Sequence, residues 1–101
     1  MDREAQLRKF IAQAPADPFP RYALALELKG KGDVASAAAE LEELLRTTPD
    51  YLAAYLQLGM LLQALGKSGE ARAAYAKGQE VARRKGDSHA LSELTQALES
   101  L

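Results

Sequence analysis

Apolar residues along this chain recur at spacings of three and four, in segments interrupted at regular intervals by short polar breaks. That period belongs to amphipathic α-helices, and the strict alternation of a half-buried strand occurs nowhere. A first helix is expected from about Asp2 to Ala14, with Leu7, Phe10, Ile11 and Ala14 on one face. A second starts at Pro18, where a missing N–H costs nothing, with Asp17 as its N-cap and Leu24, Ala25 and Leu28 as its inner stripe. A third follows the N-cap Asp33, carries Ala37, Leu41, Leu44 and Leu45, and ends before Pro49. A fourth begins after Asp50 with Tyr55, Leu58, Gly59, Leu62 and Leu65 inward. A fifth follows Ser68, carries Ala71, Ala74, Tyr75 and Gly78, and continues through Val81 and Ala82. The last starts near Asp87 or Ser88 and presents Leu91, Leu94, Leu98 and Leu101. The pattern predicts an all-α chain of six helices.

The pattern also repeats. A shift of 34 residues carries Pro15 onto Pro49, Leu24 onto Leu58, Leu28 onto Leu62, Gly32 onto Gly66 and Ala37 onto Ala71. Leu7, Leu41 and Tyr75 keep the same step. A fixed period of this length marks units that bury their apolar faces against one another. The turns within each unit are only three or four residues, so consecutive helices run antiparallel and in contact. Ala25 and Gly59 share one position, and Ala37 and Ala71 another, where a small side chain lets the facing helix seat a large one such as Tyr55 or Tyr75.

Composition narrows the function. Hydrophobic residues make up 48% of the 101 and charged residues 27%, which is globular rather than disordered. Lys and Arg number 13 against 14 Asp and Glu, for a net charge of -1. No basic excess or stripe is present, which argues against nucleic-acid binding. With no cysteine, disulfides and thiolate chemistry are excluded, and a reducing, cytoplasmic setting is the expectation. No apolar run is long enough for membrane insertion, and Met1-Asp2-Arg3-Glu4 does not open a signal peptide.

The residues Tyr55, Leu58-Gly59, Leu62, Gly66, Ala71, Tyr75 and Gly78 resemble the tetratricopeptide repeat, a 34-residue helix-turn-helix unit. The stretch before them gives Leu24-Ala25, Leu28, Gly32, Ala37, Leu41, Leu44 and Pro49 in the same register. Arg21 stands in the slot of the first aromatic, Gly78 in that of an alanine, and Arg83 in that of the terminal proline, which lengthens the fifth helix. The resemblance implies one domain with an α-solenoid of antiparallel helix pairs. Residues 1–15 form an N-terminal half-repeat helix, 18–51 and 52–85 two full repeats, and 88–101 a capping helix.

It also implies a protein-protein interaction module that takes a peptide or protein in a groove lined by the first helix of each repeat. The residues expected there are Phe19, Tyr22, Leu26, Lys29, Leu56, Met60 and Gln63, with Ala53 and Ala64 beside them. The alternative is a homo-oligomerising scaffold, such as a homodimer, that buries the same face. The clamp of basic residues and asparagine with which some relatives hold a terminal carboxylate is missing, because its positions carry Tyr22, Leu26 and Gln57. Arg83-Arg84-Lys85 complements a helix C-terminus, and Glu40, Glu42 and Glu43 read as a solvated face. A lone His89, no cysteine and no glycine loop after a strand leave no catalytic, metal or cofactor site, so no enzyme is expected.

Overall fold

Asp2, Asp17, Asp33 and Asp87 each turn a carboxylate oxygen onto a backbone N–H two or three residues ahead, at 2.7 to 3.2 Å, and each opens a helix. The computed structural model describes residues 2–101. Among them it forms α1 (Arg3–Gln13), α2 (Pro18–Gly30), α3 (Val34–Thr47), α4 (Leu52–Ala64), α5 (Ser68–Lys85) and α6 (Ser88–Glu99), and no strand. Two starts differ from the sequence reading. Helix α4 begins after Tyr51 rather than directly after Asp50, and Ser68 is already the first helical residue of α5, after Lys67. Neither start carries a side-chain cap. The preceding turn sets the second of them, because the Lys67 N–H is already bonded to the Leu62 carbonyl at 2.8 Å.

That turn recurs. The Gly32 N–H donates to the Lys29 carbonyl and the Asp33 N–H to that of Leu28, at 3.0 and 2.9 Å. Gly66 and Lys67 repeat the pair on Gln63 and Leu62 at 2.9 and 2.8 Å. Both glycines are left-handed, with φ of 84° and 76°. A Schellman turn requires this conformation, and a β-carbon makes it costly. A β-carbon at Gly66 meets nothing within 4 Å, so only the backbone resists it. Gly66→Ala should therefore lower stability by about 1 kcal/mol, read as a shifted urea midpoint.

The chain divides into two compact units at Pro49 and Asp50. In the first, α1 and α3 both pack on α2. Its core is Leu7, Leu24, Ala25, Leu28, Ala37, Ala38, Leu41 and Leu44. In the second, α5 packs on both α4 and α6, and α6 also touches α4. Tyr55, Leu58, Leu61, Leu62, Ala71, Tyr75, Val81, Ala82 and Leu94 form its core.

Glycine sets how the second unit packs. A β-carbon on Gly59 would stand within 2.6 Å of three ring carbons of Tyr75. One on Gly78 would stand 2.7 Å from Cβ of Tyr55 and about as close to both methyls of Leu94. The small residues thus seat the aromatics, as the sequence implied. The Tyr75 hydroxyl donates to Gln63 Oε1 across the helix pair, and burial raises the phenol pKa of both Tyr55 and Tyr75.

Four expectations need correction. Leu65 lies beyond the last residue of α4 and is exposed. Phe10 and Ala14 are exposed as well, and Leu7 is the one buried residue of α1, which packs mainly on α2. Glu40 is no solvated side chain. Its Oε1 accepts from Arg21 Nη1 at 2.8 Å and its Oε2 lies 3.9 Å from Arg8 Nη1, in a cleft shared with Ile11 and Ala12. Arg21 occupies the slot that holds Tyr55 one unit later, and a guanidinium there needs a carboxylate where the later unit has Ala74. Glu42 and Glu43 stay on a solvated face as expected, Glu43 in an exposed pair with Arg46 that holds its carboxyl below the usual range.

Candidate functional site

Helix α2 buries Pro20, Leu24, Ala25 and Leu28, so positions about two residues from Leu24, half a turn round the helix, face outward. Phe19, Tyr22, Leu26 and Lys29 occupy that outer row. Phe19 is 64% exposed and Leu26 39%, while Tyr22 and Lys29 are half-buried. Phe19, Tyr22 and Leu26 line an open depression of about 280 Å³ together with Ala23, Glu27 and Arg3 of α1. Arg3 Nε lies 3.8 Å from Glu27 Oε2 and closes one rim with a pair of opposite charges. The depression is therefore apolar along its floor and polar at one edge. It suits an apolar side chain that arrives with a hydrogen-bonding neighbour.

Helix α4 repeats the arrangement within the second unit. With Ala54, Tyr55, Leu58, Gly59, Leu61 and Leu62 inward, its outer row is Ala53, Leu56, Met60, Gln63 and Ala64. Met60 is 41% exposed and Leu56 half-buried. Gln63 is exposed, yet its amide oxygen is engaged by the Tyr75 hydroxyl, so it arrives at this surface already oriented. No charged residue belongs to this row, which makes methionine its most adaptable member.

The sequence placed the two rows but missed Arg3 and Glu27. They meet across the α1–α2 pair at a separation that no helical period marks. Phe10 was also misjudged. It lies seven residues from Arg3 on α1 and so shares its side of that helix. Both phenylalanines of the chain are thus exposed, and both belong to the first unit.

The remaining candidates are local. Arg83, Arg84 and Lys85 occupy the last turn of α5, where their charge opposes the carbonyl end of the helix dipole. His89 is exposed, with Nε2 3.4 Å from Glu93 Oε1. Among the described residues, no group of three or more His, Cys, Asp or Glu could hold a metal ion. No described helix is long and apolar enough to cross a membrane.

Residues 52–85 match the family model of the tetratricopeptide repeat. Among solved structures, a tetratricopeptide repeat domain protein from Salinibacter ruber is similar in both crystal and solution. The crystal structure is 44% identical with a TM-score of 0.79, over 83% of this chain and 93% of that one. The solution structure is 44% identical with a TM-score of 0.80, over 85% and 87%. The solution structure of a Bordetella parapertussis protein is 26% identical with a TM-score of 0.83, over 99% of this chain and 87% of that one. No curated protein is significantly similar to the chain.

Proposed function

The chain belongs to the tetratricopeptide-repeat family, a non-catalytic interaction fold, and on that premise we propose that it is a protein-binding module whose partner covers the outer rows of α2 and α4. One observation supports the reading above the rest. Each first helix of a repeat keeps large apolar side chains exposed, Phe19 and Leu26 on α2 and Met60 on α4, while its opposite face is fully buried. Covering side chains of this size contributes roughly 1.5–3 kcal/mol each, and a partner supplies that cover. Tyr22 and Lys29 complete the outer row of α2, and Leu56 and Gln63 that of α4. The partner brings apolar side chains from a peptide or a folded surface. The module carries no cofactor and no catalytic activity, and it acts in the cytoplasm.

Tyr22→Ala combined with Met60→Ala should abolish partner capture from a lysate of the native organism while leaving the far-ultraviolet helical signal nearly unchanged. A captured set identical to that of the unaltered chain overturns the assignment of these faces. The same exposed residues would serve a homo-oligomer. Light scattering separates the two readings, since a concentration-independent monomer removes the second.

A further inference from the structure

Helix α4 carries no charged residue, alone among the six helices of the described residues. Met60 stands in the middle of its outer row, 41% exposed. Residues three and four apart on a helix are neighbours, so Leu56, Gln63 and Ala64 flank it. The chain has no cysteine, and its other methionine is Met1. Within the helices Met60 Sδ is thus the one sulfur atom, and water reaches its side chain. A thioether is soft and apolar, which suits an adaptable apolar contact. It is also the group on this face that a mild oxidant attacks, and the sulfoxide it forms is polar. The buried residues of α4, Leu58, Leu61 and Leu62 among them, face the other way, so oxidation alters the surface and not the core.

Gln63 decides where the new oxygen goes. Its amide oxygen accepts from the Tyr75 hydroxyl, which leaves the Nε2 hydrogens as the donors this side chain offers the row. A sulfoxide oxygen one turn away is an acceptor for them. The S–O dipole is thereby held within the row instead of swinging clear of it.

On the reading that a partner covers the outer row of α4, we propose that Met60 is a modification site whose oxidation to the sulfoxide releases that partner. The oxidant is a peroxide. The thioether lone pair forms an S–O bond as the O–O bond breaks, and sulfur gives up two electrons. The hydroxide set free takes the remaining hydroxyl proton and leaves as water. A thiol-dependent sulfoxide reductase reverses the step, two thiols becoming a disulfide and the oxygen departing as water. A partner seated on the oxidised row has to bury a polar oxygen among apolar groups, which weakens capture by at least about tenfold. By reciprocity a bound partner shields Met60 from peroxide.

The full chain is treated with hydrogen peroxide, freed of it and examined by mass spectrometry. Met60 should gain one oxygen at a rate within about tenfold of free methionine, with the helical signal and urea midpoint unchanged. Capture from a lysate is then read as the ratio of treated to untreated chain, so that any effect of a substitution itself cancels. The ratio should fall at least about tenfold for the unaltered chain and recover with a sulfoxide reductase and dithiothreitol. It should stay near one for Met60→Leu, which keeps Met1. Met60→Gln, polar and uncharged like the sulfoxide, should lower capture without peroxide. A Met60 that resists peroxide, a helical signal lost on oxidation, equal ratios in the unaltered chain and Met60→Leu, or full capture by Met60→Gln each overturn the switch while the interaction reading stands. An untreated chain that captures nothing overturns both.

Discussion

Gly59→Val should destabilise the protein by roughly 2–3 kcal/mol, read as a lower urea midpoint at unchanged slope. Added carbon at that position runs into the ring of Tyr75, which is fully buried and tied by its hydroxyl to Gln63. The ring cannot retreat without breaking that bond or opening a void against α4. The chain itself offers a control. One period earlier the same two positions hold Ala25 and Leu41, both buried, so a larger small residue faces a smaller large one. Copying that pair as Gly59→Ala with Tyr75→Leu should be milder than the sum of the single changes by about 1 kcal/mol or more. Strict additivity would mean that these two positions do not share one packing constraint.

Removal of α6 should have a still larger effect. Leu94 is its one fully buried side chain, and both Leu94 methyls lie where a β-carbon on Gly78 would crowd them. Leu94→Ala should cost about 2–5 kcal/mol, through lost burial and the cavity left over Gly78. A chain ending at Gly86 should lose its cooperative thermal transition and bind a hydrophobic dye, because α5 would present Gly78, Val81 and Ala82 to water. A shortened chain that melts as sharply and stays as soluble as the intact one removes α6 from the core.

The helices and their pairing were legible because their signals are local. Aspartate caps, left-handed glycines and a stripe at helical spacing act within one or two turns, and a register of 34 residues ties both units to one pattern. What escaped depends on neighbours that no local pattern records. Phe10 and Ala14 lie on an amphipathic face, but α1 packs mainly on α2, which buries little more than Leu7. Glu40 belongs to a run of glutamates that looks solvated until Arg21 and Arg8 are brought to it from other helices. The outer rows of α2 and α4 could be placed because they are what remains once the inward stripes are assigned. Arg3 and Glu27 at the rim of the depression follow from the α1–α2 pairing alone.

Gly86 carries a φ of 68°, and the Asp87 N–H bonds back to the Ala82 carbonyl at 2.9 Å. This is the joint used inside each hairpin, whereas α3 passes to α4 through Thr48, Pro49 and Asp50. With Arg83 where a proline would stand, α5 runs to 18 residues against 14 for α3. The periodicity is thereby thrown out of phase. An engineer who wished to splice in a further module would have to graft the proline-containing link of residues 48–51 onto 82–85, since simple concatenation after Gly86 would join it through the glycine turn used within hairpins.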